Sequence, residues 1–336
     1  MDTLTHIVLG ACIGEAIAGK QLGKKAIVLG AIAQNIPDID FVASFWLPTA
    51  SDVLAHRGFT HSLLFAVLVT PLLAYCSARL FRKDGLSIGK WSLFWGLQIF
   101  VHIFIDAFNV YGTGWFEPFS HYRVSFNTMF VADPLFSIWP AIVMVLLLLT
   151  KRGDGRRMLW VKVGLGMSAL YLIAGIVFKL SIDRCLENNL GRKGIPTTEY
   201  FTTPTPLNNL LWYIVAKNDS GYYIGYRSVL DKKGDIDMHF MRRNDSLLKA
   251  DGSRDDIDKL LRFSQGYYAA ESWHDTLVFD DLRFGEMYGW GNTQRPFVFH
   301  YFLQYPDDNK VIVQRGRFAG WNKEVLSSFL NRIKGI

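Results

Sequence analysis

The sequence predicts a mainly α fold: a polytopic helical membrane domain over residues 1–180, followed by a C-terminal α+β domain over residues 181–336. Half of the 336 residues are hydrophobic and 15% are aromatic, which favours a membrane protein. The long apolar stretches all lie before about residue 180. The remainder contains no stretch of the roughly 20 apolar residues that a spanning helix needs.

Four segments are long and apolar enough to be predicted as spanning helices: residues 62–80, 91–110, 134–150 and 158–180. Two shorter segments, 4–19 and 26–36, are rich in Gly and Ala and are expected to form short helices or a re-entrant hairpin. A cleaved signal peptide is not expected, because Asp2, His6 and Glu15 interrupt the opening residues and no basic region precedes them.

Basic residues mark three of the connections, and the positive-inside rule predicts that these connections are cytoplasmic. They are Lys20, Lys24 and Lys25; Arg79, Arg82, Lys83 and Lys90; and Lys151, Arg152, Arg156 and Arg157. The other connections, 37–59 and 111–133, should then face outward with everything after residue 181. These loops largely explain the net charge of +6, so no nucleic-acid partner is expected.

Eight His and Asp residues in or near the apolar segments all fall on the predicted outer side. They are Asp2, His6, Asp38, Asp40, His56, His61, His102 and Asp106. The orientation was derived from Lys and Arg alone, so this convergence independently favours one shared site. Ionisable groups at such positions are costly unless they are paired, and by default they indicate function.

The spacing of these residues is typical of metal ligands. His102 with Asp106, and Asp2 with His6, are i, i+4 pairs that share a helix face about 5–6 Å apart. Asp38 and Asp40 follow Pro37 and are expected on a loop or fresh turn. His61 is expected in the first turn of the next helix, with His56 and Arg57 on its approach loop.

Mixed imidazole and carboxylate ligands favour zinc, manganese or iron over magnesium or calcium, and zinc is the first choice. Each of three residues also has a purely structural alternative. Asp2 could be a helix N-cap, His102 a packed core residue, and Arg57 an interfacial anchor. As a set, the residues favour a metal site. The three cysteines, at unrelated spacings, offer no disulfide framework.

Several ordered motifs resemble the YdjM-like family of bacterial inner-membrane proteins, predicted metal-dependent hydrolases. They are Asp2-Thr-Leu-Thr-His6, Pro37-Asp38-Ile-Asp40, the run from His56 to Ser62, His102-Ile-Phe-Ile-Asp106, Tyr111-Gly-Thr113, Glu117-Pro-Phe-Ser120 and Asp133-Pro-Leu-Phe136. Asp281-Leu-Arg-Phe-Gly285 is similar to longer family members. The resemblance implies a multi-pass protein of the bacterial inner (cytoplasmic) membrane.

That family is similar to the zinc-dependent phospholipase C and single-strand nuclease superfamily. The similarity implies His6 as an early ligand, Asp40 and His61 on another metal, and His102 with a bridging Asp106. The superfamily's further His after the bridging Asp, and its later His-x-x-x-acid pair, have no counterpart here. One or two ions are therefore expected, rather than three.

The expected function is hydrolysis of a phosphoester, such as a phospholipid or lipid-linked phosphate, at the outer face of the membrane. Arg57 is expected to bind phosphate, Asp38 to act as base or to orient an imidazole, and Asp106 to bridge the ions. The alternative is a non-catalytic protein in which the metal stabilises a membrane scaffold or accompanies transport. Protein partners cannot be inferred from the sequence.

The second half has the alternating aromatic and β-branched pattern of strands at residues 221–226, 276–279 and 296–304. Apolar residues at helical spacing predict a closing helix over residues 321–333. The charge rule places this domain outside the cytoplasm.

Overall fold

The computed structural model describes residues 1–249, 254–273, 276–291, 296–303 and 321–336. It divides into two compact units. The first comprises residues 1–42, 55–175 and 206–208; the second comprises residues 43–54, 176–205 and 209–336. The domain boundary at 180/181 stays a prediction.

Helices form the first part of the chain, as predicted. They are α1 (Thr3–Leu22), α2 (Lys24–Gln34), α3 (Thr49–Ala55), α4 (Leu63–Leu80), α5 (Ile88–Asp106), α6 (Pro134–Leu149) and α7 (Arg156–Lys193), with 3-10 helices at Pro37–Phe45, Phe59–His61 and Arg82–Asp84. Among the described residues, α4, α5 and α7 are long and apolar enough to cross a membrane. A fourth crossing is added if α2 and Pro37–Phe45, bent by 56°, form one broken span.

Two of the helices that form differ from what was expected of their segments. The segment 134–150 was expected to span, but α6 has 16 residues and is therefore about 24 Å long, shorter than a hydrocarbon core of about 30 Å. Conversely, α1 runs for 20 residues where a shorter helix was expected. Even so, α1 is not one of the candidate membrane spans, because His6, Glu15 and Lys20 lower its hydropathy.

Close packing of α1 against α2 depends on glycines. A Cβ on Gly10 would lie 2.3 Å from the carbonyl oxygen of Gly30, and one on Gly30 would lie 2.1 Å from that of Gly10. Small residues let helix backbones approach in this way inside membranes. The chain reverses between the helices at Gly23, whose φ of 58° is in the left-handed region that favours glycine. This antiparallel pair holds His6 and Gln34 beside α5.

The second unit contains two antiparallel sheets. Strands β1 (Glu199–Pro204), β2 (Leu211–Lys217), β3 (Gly221–Ser228) and β4 (Met238–Arg242) form one sheet in chain order, and β5 (Tyr268–Trp273), β6 (Thr276–Glu286) and β7 (Phe297–Phe302) form the other. Short helices α8 (Asp245–Leu248) and α9 (Arg254–Phe263) precede β5, and α10 (Lys323–Ile333) closes the chain. The predicted strands and closing helix are present, although Gln304, the last residue of one predicted strand, lies outside the described residues.

Strand β2 is buried on both faces. Tyr213 and Val215 pack with residues of the second sheet, whereas Ile214 and Ala216 pack on the C-terminal part of α7. Side chains alternate between the two faces of a strand, so neighbouring positions of β2 contribute to two different cores. The C-terminal unit is thus an α+β arrangement. In it, the sheet that contains β2 packs on α7 with one face and on the second sheet with the other.

Candidate metal centre

Four side chains from three parts of the first unit converge on one point. Asp38, His61, His102 and Asp106 each offer a ligand atom, and these atoms lie within 4.8 Å of one another. The Nε2 atoms of His61 and His102 are 3.1 Å apart. From these two nitrogens the carboxylate oxygens of Asp38 and Asp106 lie at 3.4–3.7 Å.

These separations fit a single tetrahedral ion. Ligands about 2.0–2.1 Å from zinc at the corners of a tetrahedron lie about 3.3 Å from one another. The separation between the two imidazole nitrogens and the four separations between an imidazole nitrogen and a carboxylate oxygen are close to that value. Nitrogen and oxygen donors of this kind suit zinc, manganese or iron. Among the described residues, no second group of three or more candidate ligands converges.

Local structure explains why these four side chains meet. His102 and Asp106 lie on one face of α5, as their spacing predicted. Asp38 is the second residue of the 3-10 helix Pro37–Phe45, where a fresh turn was expected. His61 differs from expectation: it ends the 3-10 helix Phe59–His61, because the Ser62 hydroxyl caps α4 by accepting the Phe65 N–H at 3.0 Å.

The second nitrogen of each cluster imidazole has a partner that orients the ring. Nδ1 of His102 bonds the backbone carbonyl of Gln34. Nδ1 of His61 lies 3.1 Å from Oγ1 of Thr60 and 3.4 Å from Oδ2 of Asp40. Such contacts leave Nε2 free for a metal and hold the ring in the ligating orientation. No sequence pattern points to Gln34, since the contact uses its backbone carbonyl.

Asp106 contacts a different set of groups through each of its oxygens. Oδ2 faces His61, His102 and the Arg57 guanidinium, whose Nε is 3.1 Å away. Oδ1 contacts Nε2 of His6 at 3.1 Å and the amine of Met1. The His6 ring stacks on His102 with centroids 3.8 Å apart, and its buried Nδ1 has no hydrogen-bond partner within the part of the chain that the structure describes. A carboxylate placed in this way is able to bridge two cations.

The pKa values of the Met1 amine and of His61, two groups at the site that lie outside the membrane-spanning helices, are shifted. Burial lowers the pKa of the Met1 amine to about 6. Burial alone would lower the pKa of His61, but the carboxylates of Asp106, Asp38 and Asp40 raise it above its ordinary value. Because a ligating imidazole is neutral, metal binding competes with protonation of His61.

The two aspartates after Pro37 differ from the roles expected for them. Asp38, expected to be a base or an orienting group, lies in the four-residue cluster. Asp40, expected to be a ligand, lies outside it. Its Oδ2 accepts the Arg57 N–H at 2.7 Å and the Thr60 hydroxyl at 3.3 Å. Asp40 therefore braces the loop and the His61 ring.

Three further expected residues lie outside the four-residue cluster. The Arg57 guanidinium, expected to bind phosphate, is buried; besides Asp106 it contacts Oδ1 of Asn109 at 2.8 Å and the carbonyl of Met1 at 3.3 Å. His56 is 39% exposed and reaches Oδ1 of Asp40 at 3.4 Å. Asp2 caps α1 by accepting the Thr5 N–H at 3.1 Å. It therefore has the structural role of helix N-cap, which was the alternative to metal binding.

Replacing Asp40 by asparagine should weaken metal binding about 10–100-fold, the usual cost of losing a group that orients a ligand. The reason is that the contact to Nδ1 of His61 loses its charge while the four ligands stay in place. Competition with a metal chelator measures the affinity. His56→Ala is the matched control and should change the affinity less than twofold. The reverse order of effects would contradict the placement of both residues.

Known proteins are similar to the part of the chain that contains the cluster. A family model described as YdjM inner membrane protein matches residues 1–182, which include every residue of the cluster. YfhP of Bacillus subtilis (strain 168) is 33% identical over 148 residues, which cover 41% of this chain and 43% of YfhP. Inner membrane protein YbcI of Escherichia coli (strain K12) is 34% identical over 122 residues, which cover 36% of this chain and 69% of YbcI. The chain thus spans less than half the length of YfhP. No solved structure matches.

Proposed function

The chain belongs to the YdjM inner membrane protein family, and we propose that it is a membrane-bound metal-dependent hydrolase acting on a phosphoester. The observation that carries the proposal is the convergence of Asp38, His61, His102 and Asp106 at separations that suit a divalent ion. The cluster is not sealed, because the Asp38 side chain is 23% exposed. Water and a substrate could therefore reach it.

Zinc is the proposed metal, with one ion in the four-residue cluster and room in the ligand set for a second. His61 and His102 would supply nitrogen and Asp38 and Asp106 would supply oxygen, and both are donor types that zinc accepts. For a second ion, His6 and Oδ1 of Asp106 are the available donors. Manganese and iron accept the same donors.

Each residue of the site has a defined task in this proposal. A bound divalent ion lowers the pKa of its water and neutralises charge on the oxygens of the attacked group. Asp38, the solvent-exposed member, accepts a proton or orients water at the mouth of the site. Gln34 and Asp40 hold the imidazoles through Nδ1. Arg57 pairs with Asp106 and orients its carboxylate, which replaces the phosphate-binding task expected from the sequence.

The surroundings of the ligands support a lipid-like substrate. Ile39 and Phe41, which alternate with the two aspartates, are 55% and 61% exposed, and Phe59, beside His61, is 46% exposed. Apolar side chains exposed next to a charged site suit an amphiphile with a phosphate headgroup and an apolar tail. A phospholipid or a lipid-linked phosphate, reached at the outer face of the membrane, is the proposed substrate class.

A cysteine at position 56 tests the proposed orientation. In a variant whose three native cysteines are serines, a membrane-impermeant maleimide should label His56→Cys from outside intact spheroplasts, because that half-exposed position lies in a connection with few basic residues. The control, Lys83→Cys in a basic connection, should be labelled only after permeabilisation. Labelling of position 56 from the cytoplasmic side alone would overturn the orientation and the proposed outward placement of the C-terminal domain.

A non-catalytic scaffold is the second candidate, and one observation favours it. Four protein ligands can close a zinc site completely, as in structural sites, and His61, His102 and Asp106 are fully buried. In that case the metal would hold the 3-10 helices Pro37–Phe45 and Phe59–His61 against α5 without turnover.

Metal analysis of the purified protein, followed by assays on lipid phosphodiesters and phosphomonoesters, separates the two candidates. A hydrolase should release product, lose activity after chelation and regain it when zinc is added back. Metal binding that stabilises the protein without turnover on either lipid class would support the scaffold. Hydrolysis that is unaffected by complete metal removal would contradict both.

A further inference from the structure

A basic cavity lies at the ends of α1 and α2 that are opposite to those carrying His6 and Gln34. It has a volume of about 400 Å³ and is lined in part by Leu22, Lys24, Leu149, Lys151, Arg152 and Arg157. These residues come from the end of α1, the beginning of α2, the end of α6 and the segment that begins α7. Along α1 the cavity is about 24 Å from His6, so it is separate from the metal centre.

The lining of this cavity is positively charged. Lys24, Lys151, Arg152 and Arg157 contribute to it, and no acidic residue lines it among the described residues. The charge of Arg157 is offset by Glu15, which it contacts through two hydrogen bonds of 2.7 and 2.8 Å. No carboxylate among the described residues offsets the charge of Lys24, Lys151 or Arg152. Nearby acids are engaged elsewhere: Asp154 pairs with Arg156 and Asp84 pairs with Lys25.

Arg152 is held in place over the turn between α1 and α2. Its Nε donates to the carbonyl of Lys20 at 3.1 Å, and its Nη2 donates to the carbonyls of Lys20 and Gln21. A Cβ on Gly23 would lie 3.1 Å from Cδ of Arg152, so glycine leaves the room for this side chain. An arginine fixed in this way loses little further entropy when it binds an anion.

Lys24 and Lys151 are exposed, and among the described residues neither has an ion-pair partner or a side-chain hydrogen bond. Lys24 begins α2 and Lys151 lies between α6 and α7, yet both line the same cavity. Their positive charge is therefore concentrated at one place instead of being spread along the surface. A convergence of this kind goes beyond the basic loops that the positive-inside rule requires.

The remaining lining is apolar. Leu22 and Leu149 end α1 and α6, and α6 carries exposed Val145, Leu148 and Leu149 toward this end. Basic pockets between membrane helices, placed where the apolar helices end, are suited to anionic lipid headgroups. We infer that this cavity binds the headgroup of an anionic phospholipid, with Arg152, Lys24 and Lys151 around the phosphate. The inference does not depend on the proposed hydrolase activity.

Native mass spectrometry of the full-length protein in detergent, with phosphatidylglycerol or phosphatidylcholine added, tests the inference. The wild type should retain phosphatidylglycerol at least tenfold better than phosphatidylcholine. The double variant Lys24→Gln, Lys151→Gln should weaken phosphatidylglycerol binding about 30-fold, as expected for two basic residues near a headgroup. Inorganic phosphate at millimolar concentration should not displace the lipid.

The matched control is Lys83→Gln, Lys90→Gln, which removes the same charge from two exposed lysines outside the cavity. It should change binding less than twofold, and thermal unfolding should be the same for both double variants. Equal loss in the two variants would reduce the effect to general surface charge and overturn the inference. So would equal binding of the two lipids by the wild type, or displacement by free phosphate.

Discussion

The double variant His61→Ala, Asp106→Ala should lose both its bound metal and its hydrolytic activity. The two side chains supply half of the four-residue cluster, and both oxygens of Asp106 face candidate ligands. With two ligands left, the site can no longer hold an ion or its activated water. Metal content after purification and turnover of a lipid phosphoester are the two measurements.

Removal of Asp106 also leaves the buried Arg57 without its carboxylate, which by itself costs about 3–5 kcal/mol of stability. Asp106→Asn keeps the shape of the side chain and separates the two effects: it should stay folded and still bind metal far more weakly than the wild type. The control His121→Ala, Asp84→Ala removes the same residue types outside the cluster and should keep metal and activity. Full activity in the His61, Asp106 variant would end the enzymatic proposal.

Replacing Glu15 by alanine should destabilise the first unit by about 3–5 kcal/mol, although the residue lies far from the metal centre. Glu15 and Arg157 are 6% and 4% exposed and form a two-hydrogen-bond ion pair. Arg157 also donates to the carbonyls of Leu147 and Thr150 at the end of α6. Without Glu15, its charge would be buried and unpaired.

The midpoint of denaturant-induced unfolding in detergent measures this effect. Lys25→Ala, which breaks the exposed pair with Asp84, is the control and should cost less than about 1 kcal/mol. The double variant Glu15→Leu, Arg157→Met removes both charges and should recover much of the lost stability. A Glu15→Ala protein as stable as the Lys25→Ala control would show that the pair is not buried as described.

Most of the metal centre could be predicted from the sequence, because its strongest signals are local. The spacing of His102 and Asp106 gives one face of α5 directly, and Pro37 marks the turn that carries Asp38. Which aspartate of the Asp38–Asp40 pair turns inward was not predictable. It depends on the tight 3-10 path after Pro37, in which residues two positions apart point in different directions.

The environment of Arg57 also lies beyond sequence reasoning. An arginine beside histidines at a membrane boundary suits phosphate binding, an interfacial anchor or a buried ion pair equally well. Only the fold brings Asp106 and Asn109 to its guanidinium. The prediction that α6 spans fails for a different reason: the helix ends within one residue of the predicted segment 134–150, but that segment is itself shorter than the roughly 20 residues a span needs.

The fold of the second unit was predictable only in outline. Alternating aromatic and β-branched residues indicated strands, and these strands form. Their pairing into a four-stranded and a three-stranded sheet follows from contacts distant in sequence, such as those that place Tyr213 and Leu282 in one core.

Anomalous X-ray diffraction from crystals of the metal-loaded protein tests the central claim most directly, because it locates the ion. The account predicts a zinc-edge peak about 2.0–2.2 Å from Nε2 of His61, Nε2 of His102 and one oxygen each of Asp38 and Asp106. A metal-loaded crystal with no peak among these four side chains, or with its peak on other residues, would contradict it.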